Sequence, residues 1–350
     1  MFRSEHRASG RPPGATLSVP WTWAFGTPPP EYGVRLVRRP SDWGQGRVRG
    51  LLTQLVHAGR LAVTARHSRT LVLATVGAEA AVTARLAKLL NRRLHVVVFD
   101  VLAPRRELPR PLARRLFASV DEFVVIRTGD ATMLARRFDV DPGRCRFVRW
   151  PVPDPTGPGD GAPDPAVGES AGRGLPSTYV YSAGWAHRDW DTLVQAIDQT
   201  KTEVQAVIAP GRPLSLPPGV RDRVRVIDMP PPELGRVLTR DAEVVAVVMH
   251  DTDLPAGPLV LLDAMAAGRA VVATDVNGTR DYVRDGETAL VVPAGDPAAL
   301  AGALSRVWED PELRARLGSS ARRAVTDLHQ VTTFWDDLLA PGAWESSTAP

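Results

Sequence analysis

Apolar positions along this chain follow two rhythms. On the C-terminal side, short β-branched runs alternate with stretches whose apolar residues recur three or four positions apart. The runs are Thr178–Ala183, Glu203–Ala209, Arg223–Ile227, Val244–Met249, Ala270–Thr274 and Ala289–Val292, and each reads as a strand. Between them, "DWDTLVQAIDQT", "PPELGRVLTR" and "GPLVLLDAMAAG" have the spacing of helices that bury one face. Strands that are nearly continuous apolar runs, each followed by a helix, imply a parallel sheet covered on both faces.

The N-terminal side repeats the pattern less clearly. "TLVLATV", "LHVVVFD" and "EFVVIRT" read as strands, and "AEAAVTARLAKLLNR", "LPRPLARRLFASV" and "DATMLARRF" as helices. The pattern predicts an α/β chain with two Rossmann-like domains in tandem. Between Pro151 and Ser177, Pro, Gly, Ala and acidic residues replace every periodic signal, so this stretch reads as a linker. The predicted plan is a poorly ordered segment over 1–32, domains over 33–150 and 178–328 joined by the linker 151–177, a last helix over 329–341 and a tail from 342. Asp310 and Pro311 form an N-cap and N1 pair inside "EDPEL", before one of the late helices.

Composition changes this picture in three ways. At 350 residues the chain suffices for about two cores. No run approaches the roughly 18 to 20 apolar residues needed to span a bilayer, and "MFRSEHRASGRPPG" lacks the apolar core of a secretory signal, so the expected compartment is the cytoplasm. The single cysteine, Cys145, excludes an intrachain disulfide and a Cys-rich metal site, and in "RCRFVRW" it reads as a small hydrophobe on a strand. Charge is divided unevenly: residues 1–150 hold 26 Arg/Lys against 11 Asp/Glu, a balance of +15, and the remainder stands at −11. A basic half attracts an anionic partner. Arg105, Arg106, Arg110, Arg114 and Arg115 surround Leu108, Leu112, Leu116 and Phe117, a pattern that fits either peripheral contact with an anionic membrane at its inner face or a solvated basic side over an ordinary core stripe. Nucleic acid is not an expected partner, because interleaved aromatics and a reading motif are absent.

In open α/β sheets, ligands bind beyond the carboxyl ends of the strands, where helix N-termini favour anions. That rule selects three loops, those after the strands ending near Ala183, Met249 and Thr274, and the first two carry the candidate residues. In "SAGWAHRDW", Gly184 allows close backbone approach, Arg188 can grip a phosphate or lie solvated, His187 can bond a ligand or serve structure, and Asp189 can cap the next helix. In "HDTDLPAGPLVLLDAM", Gly257 permits a tight approach, Pro258 suits a first helical turn, and the amides of Leu259 and Val260 can cradle a diphosphate. Asp263 follows on an apolar helix. A carboxylate buried there would be costly, so it is expected to face a cleft and accept bonds from sugar hydroxyls, the alternative being a pair with a structural Arg.

The stretch "LVLLDAMAAGRAVVATDVNGTRDYVRDGETALVVPAGDPAAL" resembles the donor-binding signature of the retaining GT-B glycosyltransferases of family 4, with supporting similarity in "VDEFVVIRTGDATMLARRF" and "SAGWAHRDWDTLVQAI". The resemblance implies two Rossmann-like domains facing each other across a cleft, with the C-terminal helix packing back toward the N-domain. It implies transfer of a sugar, with retention, from a nucleotide-diphosphate-sugar donor to a carbohydrate, lipid-linked or small-molecule acceptor, with no metal and no cofactor. By the same resemblance Asp263 holds the ribose, Leu259 and Val260 contact phosphate and sugar, and Arg188 neutralises the leaving diphosphate. Gly184, Trp185, His187, Asp253, Ala256, Gly257 and Pro258 complete the donor side, and Asp100 is the polar group nearest the acceptor. Departures from the family pattern are Pro255 at the first acid of the signature, Trp185 at a cation, and Phe99 at an acceptor-side histidine. They leave two alternatives: a degenerate, non-catalytic protein that binds nucleotide or a partner protein, or a nucleotide-sugar epimerase or phosphorylase on the same fold.

Overall fold

The computed structural model describes residues 14–19, 28, 30–39, 47–74, 78–100, 109–152, 174–200, 203–253 and 258–339. The chain divides into two compact units. The first takes in the described residues up to Ile126, then Ala131–Val148 and the chain from Trp335; the second takes in Arg127–Asp130 and Arg149–Phe334.

The first unit is built on a six-stranded parallel sheet in the order β2-β1-β3-β4-β5-β6. The strands are β1 (Ala15–Val19), β2 (Val34–Arg38), β3 (Thr70–Ala74), β4 (His95–Phe99), β5 (Glu122–Val125) and β6 (Cys145–Phe147). Helices α1 (Arg47–Ala65), α2 (Ala78–Leu90), α3 (Arg110–Phe117) and α4 (Gly129–Phe138) connect them. Leu71, Leu73, Val96, Val98, Phe123 and Val125 share a core with the apolar faces of these helices, as period-two strands packed on period-3.6 helices require. Cys145 is half-buried beside that core.

One expectation is corrected here. The sequence predicts poor order over residues 1–32, yet within that span β1 lies inside the sheet between β2 and β3, with Leu17 opposite both Leu36 and Val72. Its polar residues disguised it. Thr16 and Ser18 are buried, and their hydroxyls are taken up by Ser68 at 2.8 Å and by the His57 ring at 3.4 Å. A buried hydroxyl costs little once hydrogen-bonded, so a strand without strict apolar character can still be central. Strand β2 and helix α1 likewise had no counterpart in the sequence pattern. Most of "VPWTWAFG", and residues 153–173 of the expected linker, lie outside the described residues.

The second unit carries a parallel sheet in the order β12-β11-β10-β7-β8-β9. Its strands are β7 (Val180–Ala183), β8 (Ala206–Ala209), β9 (Val224–Val226), β10 (Val244–Val247), β11 (Ala270–Thr274) and β12 (Leu290–Val292). The helices are α5 (Trp190–Gln199), α6 (Pro232–Asp241), α7 (Leu259–Ala266), α8 (Pro297–Glu309), α9 (Pro311–Leu328) and α10 (Val331–Leu339). Separate apolar clusters fill the two faces, one around Tyr181, Val245 and Met265, the other around Trp190, Val244 and Leu304. Asp189, Asp296 and Asp310 each accept the third amide of the helix they precede, which fixes where α5, α8 and α9 begin.

Near the end of this unit, the His329 ring bonds the Trp150 carbonyl at 2.8 Å and the His329 carbonyl accepts the Val152 amide at 2.9 Å. The chain leaving the first unit and the chain returning to it are thereby tied at one point. From Trp335 onward α10 belongs to the first unit, where Arg146 donates to the Asp337 carbonyl and Tyr32 to the Asp336 carboxylate.

Candidate functional site

In the second sheet the chain runs outward from β7 through β8 to β9 on one side, and from β10 to β12 on the other. The strand order therefore reverses between β7 and β10, the position at which open α/β sheets take ligands. The first two loops chosen from the sequence sit at this point.

The loop after β7 is stitched down. Gly184 donates to Ala209 at 3.1 Å, His250 to the His187 carbonyl at 2.9 Å, and Asp189 to Val248 at 3.1 Å, and Arg188 forms an antiparallel bridge with Met249. The path needs left-handed backbone at His187 (φ 55°) and a φ of 128° at Gly184 that only glycine adopts readily. It turns the Arg188 side chain back under Gly184, where Nε donates to the Ala183 carbonyl at 2.9 Å. A Cβ at position 184 would stand 2.5 Å from Arg188 Nε.

Arg188 is 7% exposed, so it is not the solvated side chain that the sequence left open as an alternative. Its Nη1 is buried with no hydrogen-bond partner, and it makes no ion pair among the described residues. Burial alone pulls its pKa down to about 10. A desolvated cation with no counter-charge favours an incoming anion.

Asp189 holds the loop from below. Its carboxylate accepts the Thr192 amide at 3.0 Å and hydroxyl at 2.7 Å, and lies 3.3 Å from His250 Nδ1. His250 escaped the sequence reading; the only signal was a histidine directly after an apolar strand. Trp185 is 75% exposed, and its Cβ and ring edge pack over Gly211.

After β10 the chain is described as far as Asp253, which is half-buried, and resumes at Pro258, so Ala256 and Gly257 lie outside the described residues. Pro258 is the N-cap of α7 rather than a first-turn residue, and no side chain caps the helix. Its opening amides, Leu259 and Val260 among them, have no intrahelical acceptor. Helix α7 buries Leu261, Leu262, Ala264, Met265 and Ala266, whereas Leu259 and Asp263, four residues apart, share its exposed side. The lone acid in an apolar helix is thus at the surface. Tyr181 on β7 lies near enough that the Asp263 charge, after burial and Tyr179, raises its pKa.

A depression of about 420 Å³ opens farther along the same edge, lined by Asp251, Asp275 and Asp285. Three carboxylates make it unsuited to a diphosphate. In the first unit Phe99 is buried at the end of β4, and Asp100 has left-handed backbone (φ 50°) and donates its amide to Val124 at 2.9 Å. Helix α3 buries Ala113 and Phe117 but exposes Leu112 beside exposed Arg114 and Arg115, while Arg105, Arg106 and Leu108 of the basic stretch lie outside the described residues.

The fold and this loop pair define a nucleotide-fold unit with an anion-receptive switch point. Residues 178–310 match the family model for glycosyl transferases group 1. The chain is 33% identical over 247 residues to a D-inositol 3-phosphate glycosyltransferase of Xylanimonas cellulosilytica, a match that covers 64% of this chain and 58% of that protein. It thus spans little more than half the length of that relative. Among solved structures it resembles a glycosyltransferase from Rickettsia africae (TM-score 0.69, 10% identity, 96% of this chain and 99% of the other). It also resembles Anabaena Alr3699/HepE in complex with UDP (TM-score 0.63, 16% identity, 88% and 86%). These likenesses establish the fold class as GT-B, with two Rossmann-like parallel-sheet domains.

Proposed function

We propose that the chain is a retaining glycosyltransferase that moves a sugar from a nucleoside-diphosphate donor to a hydroxyl acceptor. The observation that carries this reading is Arg188: a guanidinium 7% exposed, with Nη1 unpartnered, at the switch point of the unit that matches the group 1 family model. A cation held dry and without a counter-ion loses its penalty when a diphosphate arrives, and gains most when charge accumulates on the leaving group.

In this mechanism the bond from the anomeric carbon to the diphosphate oxygen breaks while the acceptor oxygen bonds the same carbon on the same face. The acceptor proton passes to the departing diphosphate. Arg188 and the opening amides of α7 stabilise the negative charge, and Asp263 orients the nucleotide by accepting bonds from its ribose hydroxyls. Gly184, Trp185, His187, Asp253, Pro258, Leu259 and Val260 are assigned to the donor side and Asp100 to the acceptor side; the donor-side assignment of Ala256 and Gly257 rests on the sequence alone. The similarity to a D-inositol 3-phosphate glycosyltransferase makes a phosphorylated cyclitol the first acceptor to test, and the UDP complex of HepE makes uridine the first base. The enzyme acts in the cytoplasm, with its basic N-terminal half toward anionic partners, lipid surfaces included.

The test is a panel of nucleotide sugars scored by native mass spectrometry. One donor class retained, and its nucleoside diphosphate released when acceptor is added, is the expected result; no donor retained at all overturns the reading. Buried Phe99, where the family has an acceptor-side histidine, favours a second reading in which the protein binds nucleotide without turnover. Release of nucleotide that stops in Arg188→Ala excludes it.

A further inference from the structure

Helix α1 has two apolar sides. One enters the core of the first unit through Ala58, Leu61, Ala62 and Ala65. The other is at the surface: Leu52 is 58% exposed, Leu55 47%, Val56 72% and Val63 53%. Their spacing of three, four and seven residues places them on one stripe. Ten large apolar residues are exposed among the described residues, and four of them fall on this stripe. Such clustering departs from the scatter of an ordinary surface and marks an interaction face.

Charge selects the occupant. From Arg47 to Arg69 the chain holds Arg47, Arg49, Arg60, Arg66 and Arg69 and no Asp or Glu. Arg60 is exposed on the stripe itself, and Arg66 and Arg69 are exposed just beyond the helix. A second copy docked about a two-fold axis would set this acid-free helix against itself, arginine facing arginine, with nothing to neutralise them. An anionic bilayer meets both properties: acyl chains accept Leu52, Leu55, Val56 and Val63, and phosphate headgroups accept the arginines.

We infer that the outer face of α1 is a docking surface for an anionic lipid bilayer, lying in the plane of the interface. This deepens the reading of the basic N-terminal half given above by naming α1, rather than the Arg-rich α3, as the element that inserts.

The experiment uses the full chain and vesicles of phosphatidylcholine alone or with about 30% phosphatidylglycerol, scored by flotation at low and high salt. Wild type is expected to partition onto the anionic vesicles, with binding weakened by salt. Leu52→Glu/Val56→Glu is expected to bind at least about tenfold more weakly, since each change removes apolar contact and adds a repelled charge. Leu112→Glu/Arg114→Glu on α3 is expected to lose less. A NBD dye on Val56→Cys in a Cys145→Ser background is expected to shift to the blue on anionic vesicles, and this holds the question open to refutation if the double variant does not fold. No partition of wild type overturns both the inference and the anionic-surface reading. Binding that the α1 variants retain and the α3 variants lose overturns the inference alone. A dimer in solution that Val56→Glu dissociates also overturns it, and gives the face to a second copy.

Discussion

Removing the Arg188 guanidinium is expected to separate binding from stability. Burial pulls its pKa down to about 10, so at neutral pH the folded state carries a charge-burial penalty of about 3 kcal/mol. Arg188→Ala relieves that penalty. Against it stand the hydrogen bond to Ala183, worth about 1 kcal/mol, and the lost packing of the side-chain stem with the space it leaves, about 2–3 kcal/mol. The opposing contributions nearly cancel, and the melting temperature is expected to move by no more than about 4 °C. Nucleotide affinity has no such compensation. A charge-assisted bond to a diphosphate contributes about 1.5–3 kcal/mol, so the dissociation constant for the donor nucleotide is expected to rise roughly 10- to 150-fold. Isothermal titration and thermal unfolding on the same preparations measure both. A dissociation constant within twofold of wild type for every nucleoside diphosphate would refute the assignment. So would a melting temperature lowered by more than about 8 °C, since the guanidinium would then be a structural element.

Three further perturbations test neighbouring parts of the argument. Gly184→Ala places a Cβ 2.5 Å from Arg188 Nε on backbone at φ 128°, and is expected to cost about 1–3 kcal/mol in urea unfolding while weakening nucleotide binding; unchanged stability contradicts the geometry. Asp263→Asn is expected to weaken nucleoside diphosphates about tenfold and leave inorganic pyrophosphate unaffected, whereas Arg188→Ala weakens both; equal losses for the two ligands in Asp263→Asn remove its ribose role. His57, on the buried side of α1, has its pKa pushed down to about 4, first by burial and then by Arg39 and Arg60. Between pH 6.5 and 4 the unfolded chain binds a proton that the folded chain refuses, so stability falls with acidification through that window by up to about 3 kcal/mol. His57→Gln is expected to flatten the dependence in urea titrations at stepped pH, and an unchanged slope rules the histidine out.

Legibility of the fold tracked chemical uniformity. Every strand of the second sheet was readable because runs such as "VVAVVM" are apolar without interruption, the mark of strands buried on both faces. The first sheet was half readable. Strand β1 hid behind Thr16 and Ser18, whose burial is possible only because Ser68 and His57, 52 and 39 residues away, accept or donate the bonds. No local window contains that information. At the site, the sequence singled out Arg188 and Asp263 but left the burial of the first and the facing of the second open. His250 stayed unseen because its partner Asp189 is joined to it only by the pairing of two loops.

The amino-acid order by itself determined that two parallel α/β sheets form, where most of their helices begin, and that one half of the chain is basic. Those properties follow from local periodicity, capping side chains and summed charge, which need no contact between distant segments. Tertiary structure decided the rest. It set the strand order that brings the β7 and β10 loops together, buried one arginine beneath a glycine, and left the outer stripe of α1 facing solvent. Each depends on which distant surfaces pack together, and so on desolvation and space, quantities that a linear pattern does not contain.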